Sequence, residues 1–264
     1  MAMLEDFKSS VALVVSSCDA FFDAWRPFQA FLEMFWHDCP LDIFLLTNEL
    51  DIRSTRLRPI RVGKDRGWSS NLGFALQQLT HPYLLYFQED YFLTAPVDRV
   101  QLTRDFEEAI GMGADSLCFR ARSKVDPSFQ PLNERYGIVP LDSPGRTRCQ
   151  VALWKRSALL SILREGETAW NFEARGSART QEMQILSYQR RENAPIQYLM
   201  SAISRGLWMP QAIALCRAHE VAIDPFFRPI FSPAPWRRRL LRAQGRWKLR
   251  RALANQESSV ITLP

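Results

Sequence analysis

Long hydrophobic runs are missing from this chain. The longest, such as Val11 to Val15 and Tyr83 to Phe87, fall far short of the ~20 apolar residues that a membrane-spanning helix requires, so no segment reads as one. The beginning lacks the basic start, long apolar stretch and small-residue cleavage site of a secretory leader, carrying Glu5, Asp6 and Lys8 instead. The expected residence is therefore the cytoplasm. Histidine is scarce: His37, His81 and His219 are too dispersed for a histidine metal motif. Cys18, Cys39, Cys118, Cys149 and Cys216 are odd in number, widely spaced and without a C-x-x-C pair, which argues against a disulfide framework or a thiolate zinc site. No glycine-rich basic loop follows the first apolar run to cradle a triphosphate. Acidic residues are absent between Pro225 and Gln256, where nine basic ones stand. The net charge of +6 thus belongs to this tail and the rest of the chain is mildly acidic.

What is present is enough for a large core: 264 residues, 47% apolar and 12% aromatic. Val11 to Ser17 reads as a buried strand, because a short continuous apolar run suits the interior of a parallel sheet. Phe21 to Trp36 repeats Phe21, Trp25, Phe28, Leu32 and Phe35 at helical spacing, and Asp42 to Thr47 is a second strand. Strand, helix, strand within about forty residues is the signature of a βαβ unit. Trp68 to Leu79 predicts a helix capped by Ser69 or Ser70, Tyr83 to Phe87 a strand, Arg99 to Met112 a helix and Asp115 to Arg120 a strand. Residues 123–148, rich in Pro, Asp, Ser and Gly, form a long irregular excursion. Gln150 to Trp154 restores a strand, Ser157 to Leu163 a helix, and Gln181 to Arg190 another helix.

Directly after the strand at Tyr83 to Phe87 come Gln88, Glu89 and Asp90. Ligands of open α/β sheets sit beyond the carboxyl ends of the strands. Two adjacent carboxylates there call for a cation, a basic partner or water. A divalent ion bound to a diphosphate meets that need, since Mg²⁺ or Mn²⁺ takes one or two protein carboxylates together with phosphate oxygens. Asp90 is the first choice of ligand and Glu89 the second; the bland alternative is a polar loop in which Asp90 pairs with an arginine. A second constellation runs from Glu165 to Ser177, where acids and aromatics interleave with glycine. A carboxylate can take the proton of a sugar hydroxyl and an aromatic ring can receive a pyranose face. Glu167 and Glu173 are candidate bases, and Trp170 and Phe172 candidate acceptor contacts, unless those rings pack in the core.

Four segments carry a resemblance: Tyr83 to Leu93, Gln150 to Lys155, Thr168 to Glu173 and Ile203 to Trp208. Together they are similar to patterns in bacterial GT-A-type glycosyltransferases of surface-polysaccharide and lipopolysaccharide clusters. The resemblance implies an α/β, Rossmann-like GT-A fold with a central mixed, mostly parallel sheet flanked by helices. It divides the chain into a catalytic domain over 1–225 (donor half about 1–122, acceptor half about 123–225) and a basic helical extension over 226–264. It implies a nucleoside-diphosphate-sugar donor and a saccharide acceptor. By the same resemblance Ser16, Ser17, Cys18 and Asp19 line the nucleotide, although Asp19 also suits a helix cap, and Lys64 and Trp154 complete the donor set. The chain departs from the family in having Gln88 where an acid is usual, so fixed cations such as Lys64, Arg66, Lys155 and Arg156 could serve the leaving diphosphate in place of a metal. Direct displacement with Glu173 or Glu167 as base would give an inverting enzyme.

Within the tail, Trp236, Leu240, Ala243 and Trp247 repeat at helical spacing among arginines, including Arg237, Arg238 and Arg239. Such a helix suits an anionic membrane surface, where a lipid-linked saccharide acceptor would also lie. Packing of the tryptophans on the domain, or phosphate contacts to nucleic acid, are the alternatives, the latter disfavoured by the acidic body. The competing functions are a nucleotidyltransferase, which lacks its triphosphate loop here, and a non-catalytic membrane-surface adaptor.

Overall fold

Val11–Ser16 forms β1, buried at every position, because an unbroken apolar run can satisfy both faces only in the middle of a covered sheet. The computed structural model describes residues 2–121, 129–143, 145–254 and 260–263. Helix α1, Phe22–Trp36, lays Trp25, Phe28, Leu32 and Trp36 on the sheet and returns the chain to β2, Ile43–Thr47, parallel to β1. The short β3, Asp51–Arg53, and then β4, Leu57–Arg61, follow. Sequence reasoning found neither. Pro59 masks β4, and the structure tolerates it because β4 is an edge strand paired only with β2.

Helix α2, Trp68–Gln78, is capped by Gly67 with no side-chain bond. The expected cap, Ser69, is used elsewhere: its Oγ donates to the Arg164 carbonyl at 2.6 Å and its N–H to the Glu167 carbonyl at 3.2 Å. Strand β5, Tyr83–Gln88, runs parallel to β1 in the register Val11 with Tyr83 through Ser16 with Gln88. Helix α3, Arg99–Gly111, capped by Asp98, leads to β6, Ser116–Cys118.

Of the excursion expected over 123–148, residues 123–128 and 144 lie outside the described residues. The remainder contains two short strands, β7 at Gln130–Pro131 and β8 at Tyr136–Ile138. Then come β9, Ala152–Lys155, α4, Arg156–Ile162, and α5, Ala169–Arg175. The helix expected over 181–190 is instead strand β10, Ile185–Tyr188. All four of its residues are buried, so it occupies an interior slot between β6 and β8. Its apolar run is too short for periodicity to separate strand from helix.

Strands β11, Ile203–Ser204, and β12, Leu207–Trp208, form a hairpin turned by Arg205 and Gly206 at φ of 51° and 77°, the left-handed geometry that two-residue hairpins demand. Helix α6, Pro210–Ala218, and the basic helix α7, Pro235–Ala254, precede β13, Val260–Thr262, which pairs with β3 and so ties the chain's end back to the body.

The main sheet has the order β4-β2-β1-β5-β9-β6-β10-β8-β7. Only β9 and β8 run against the others, so the sheet is mixed, mostly parallel and Rossmann-like in its first half. Side chains alternate between two apolar layers, one with α1, α3 and α6, the other with α2, α4 and α5. Among the described residues no helix is long and apolar enough to cross a membrane.

Candidate functional site

Parallel pairing of β1 with β5 brings Ser16 beside Gln88, and with them the segments Ser17 to Asp19 and Glu89 to Asp90, at one edge of the sheet. The β4–α2 loop, with Lys64, Asp65 and Arg66, leaves from the same edge, because β4 is parallel to β2 and β2 to β1. Strand β9 enters there, so Arg148, Cys149 and Gln150 form the third side.

The acidic pair is buried, Glu89 at 7% and Asp90 at 6% exposure. Asp90 Oδ2 accepts from the Ile203 N–H at 3.1 Å, which the β11–β12 hairpin presents, and the Asp90 carbonyl accepts from Ala202 N–H at 2.9 Å. Burial pushes the Asp90 carboxyl up to about 7, against the pull of the Ile203 N–H and the charge of Arg228. Glu89 is raised well above the carboxylate range, first by burial and next by the charge of Asp90. The charge of Arg228 favours the ionised form of both acids, and sequence reasoning counted this residue only as part of the tail. Its guanidinium forks onto Asp23 with two bonds of 2.9 Å, donates to the Ala20 carbonyl at 2.7 Å and lies over the Phe21 ring. Its one distinguishing sign in the sequence is isolation between Phe227 and Pro229, apart from the arginine run.

The segment after β1 divides between support and exposure to the site. Asp19 Oδ1 accepts from Asn48 N–H at 2.7 Å, and Oδ2 from Glu49 and Leu50 N–H at 2.8 and 3.0 Å, so its carboxylate is spent on bracing the loop after β2. Ser17 Oγ receives the Trp25 indole N–H at 2.8 Å. Cys18 is half-buried, its thiol pushed up to about 12 by burial and by the neighbouring charge of Glu89, which makes it a protonated, unreactive wall. Beneath, the Tyr86 hydroxyl gathers Gln88 Nε2 at 3.1 Å and the Trp68 indole at 3.3 Å.

Two expectations about β9 are overturned by its direction. It runs antiparallel to β5, with Leu84 opposite Trp154 and Tyr83 opposite Lys155. Trp154 therefore lies four residues from Gln88, roughly 13 Å along the sheet, buried in the layer under α2 and α4. It cannot touch a donor at the acidic edge. Lys155 and Arg156 are at the same far end, and Arg156 donates to the His81 and Leu76 carbonyls. What β9 delivers to the site is its beginning. The Cys149 carbonyl accepts from Tyr91 Oη at 2.6 Å, and Gln150 joins Tyr91 and Tyr198.

Helix α5, capped by Thr168, and the turns beside it give the two candidate bases different partners. Glu167 is 8% exposed, and Arg179 grips both of its oxygens at 3.1 and 2.8 Å. That pairing makes it a structural ion pair and corrects its candidacy as a base. Glu173 is half-buried, and Oε1 accepts the Cys149 N–H at 2.7 Å, which fixes it at the acidic edge. Phe172, 1% exposed and packed against Trp68 at 5.1 Å, is core and cannot contact an acceptor. Trp170 stands 78% exposed. Lys64 is exposed in its loop.

Among the described residues no three His, Cys, Asp or Glu side chains gather as a metal-ligand group. Glu89 and Asp90 nevertheless fit a hard dication that draws its other ligands from a diphosphate: both are oxygen donors, both are desolvated, and the Arg228 guanidinium is already engaged by Asp23. In the tail, Trp236 and Trp247 are 67% and 60% exposed, so they do not pack on the domain.

No protein-family model matches this chain, and no curated protein matches it significantly. Among solved structures it is similar to TarS of S. aureus, residues 1–349 in complex with UDP-GlcNAc, at 12% identity over 72% of this chain and 57% of that one, with a TM-score of 0.48. A CMP:2-keto-3-deoxy-manno-octonic acid synthetase complexed with CTP aligns at 12% identity over 80% of this chain and 98% of that one, TM-score 0.44. A UDP-glucose pyrophosphorylase complexed with UDP-glucose aligns at 8% identity over 69% and 90%, TM-score 0.45. The chain spans less than two thirds of the TarS structure's length. At these identities and TM-scores the likenesses assign neither substrate nor chemistry.

Proposed function

We propose that this chain is a nucleoside-diphosphate-sugar-dependent glycosyltransferase of the GT-A type that delivers its sugar to a saccharide acceptor, in lipid-linked form for surface polysaccharide synthesis. The observation that carries the reading is the buried pair Glu89 and Asp90 at the carboxyl edge of β5, one strand from the end of β1. Open α/β sheets bind nucleotides at this edge. Two desolvated carboxylates there gain most from a bound dication.

Ser16 and Cys18 would receive the nucleotide beside β1, with Lys64 and Arg66 from the β4–α2 loop toward the diphosphate. Glu89 and Asp90 would hold Mg²⁺ or Mn²⁺, which when bound supplies Lewis-acid charge for the departing diphosphate. Glu173, oriented by the Cys149 N–H, takes the proton of the acceptor hydroxyl as its oxygen bonds to the anomeric carbon. The bond from that carbon to the phosphate oxygen breaks on the opposite face, and the configuration inverts. Exposed Trp170 offers a flat face to a pyranose ring.

Calorimetric titration with UDP, GDP, CMP and ADP, each with and without Mn²⁺ or Mg²⁺, tests the reading. The expected result is selective binding of one nucleotide, weakened by chelation and by Asp90→Ala. Selective binding that ignores the metal would remove the cation and leave Lys64 and Arg66 to stabilise the diphosphate. Failure of the folded protein to bind any of them would overturn the proposal.

A further inference from the structure

Helix α7 has two unlike faces. Gly245 packs against the body so closely that an added Cβ would lie 2.8 Å from Pro229 Cδ and 3.1 Å from the Phe227 carbonyl. On the same side Arg238 lies over the Phe231 ring at 5.2 Å and Lys248 over the Phe226 ring at 4.1 Å. These contacts fix the rotation of the helix. At ~100° per residue, Trp236, Leu240, Ala243 and Trp247 then fall within about 60° of one another on the side away from Gly245. They are turned to solvent, Trp236, Leu240 and Trp247 being 67%, 56% and 60% exposed.

Arginines border this stripe on both sides: Arg239, Arg246 and Arg250 along one, Arg237 and Arg251 along the other. Among the described residues none of the five has a carboxylate partner. A helix of 20 residues with two tryptophans on its exposed stripe and cations along both margins matches the interface of a bilayer. Indole rings favour the headgroup boundary there, and the flanking guanidinium groups meet anionic phosphates. A nucleic acid would be served by the cations alone and would gain nothing from the exposed apolar side chain of Leu240.

We propose that the solvent face of α7 docks the protein flat on an anionic membrane surface, inserting Trp236, Leu240 and Trp247 between headgroups. The proposal does not depend on the transferase reading, because the stripe faces away from the body.

Flotation of the full chain with vesicles of phosphatidylcholine alone, and with about 30 mol% phosphatidylglycerol added, tests it. The expected result is roughly tenfold or greater preference for the anionic vesicles. Replacing Trp236, Leu240 and Trp247 together by alanine should lower that binding at least about tenfold. Arg239→Gln, Arg246→Gln and Arg250→Gln together should bring anionic vesicles down to the level of neutral ones. All six positions are on the helix's outer side, and unchanged thermal unfolding and nucleotide binding would separate loss of docking from loss of fold or of the donor site. Absence of binding to anionic vesicles, or undiminished binding by the alanine variant, overturns the proposal. So does tighter binding to single-stranded RNA that the glutamine variant loses and the alanine variant keeps.

Discussion

Asp90 holds its proton to about pH 7 in the folded chain because burial disfavours its charge. Between its ordinary value near ~4 and that point the native state binds more protons than the unfolded one, so stability falls as pH rises through this window and levels off above it. Asp90→Asn removes the charge that the fold resists. Urea unfolding is expected to find the variant more stable than the parent by on the order of 2 kcal/mol at about pH 8 and equal to it at about pH 4. A variant that is no more stable at the higher pH would mean that Asp90 is better solvated, or better paired, than its surroundings indicate. Such an acid is costly to the fold, a pattern expected of functional sites.

At the scale of an element, α5 and the turns around it carry two glutamates with unlike partners. Arg179→Leu strands Glu167 as a buried charge, so the protein should lose about 2–3 kcal/mol in denaturant titration while turnover per folded molecule stays within a factor of about two. Glu173→Gln keeps an oxygen for the Cys149 N–H and should change stability by less than about 0.5 kcal/mol; if Glu173 is the base of the proposed transfer, the rate of that transfer should fall roughly 100-fold. The reverse pattern would exchange the roles of the two residues. Their neighbours at sequence level are equally ambiguous, with an aromatic close to each. The presence of Arg179 within reach of one carboxylate and of the Cys149 N–H within reach of the other separates them.

Over the whole molecule, the tail is joined to the site. Residues 226–231 lie between α7 and the body, with Arg228 reaching inward to Asp23 and toward the acidic pair while Phe227 and Pro229 receive Gly245. Adding a methyl at Gly245 pushes on backbone and a proline ring. Gly245→Ala should therefore loosen α7 despite its better helix propensity, at a net cost of about 1 kcal/mol. Hydrogen exchange should find the amides of 235–254 less protected in the variant, with β1 and β5 unchanged. Equal protection would mean that the helix is held mainly by its cation–π contacts and by the partly buried Leu253.

The first half of the fold was legible because β1, α1, β2, α2 and β5 carry their own periodicity, and consecutive βαβ units leave one arrangement of parallel strands with a site at their carboxyl edge. The acidic pair followed from the same logic, being polar where a buried strand ends. The second half was not legible in this way. Strand β10 is an apolar stretch too short to distinguish from a helix, β4 contains a proline that only an edge position permits, and no local pattern states that β9 runs backwards. That direction moved Trp154, Lys155 and Arg156 away from the site and brought Cys149 to it. Side-chain roles set by distant partners were decided by tertiary structure alone: Glu167 by Arg179, Asp19 by the loop after β2, and Arg228 by an aspartate 205 residues away. Sequence determines such elements through neighbours within a few positions, whereas the charge state and task of a buried polar group depend on what the folded chain puts beside it.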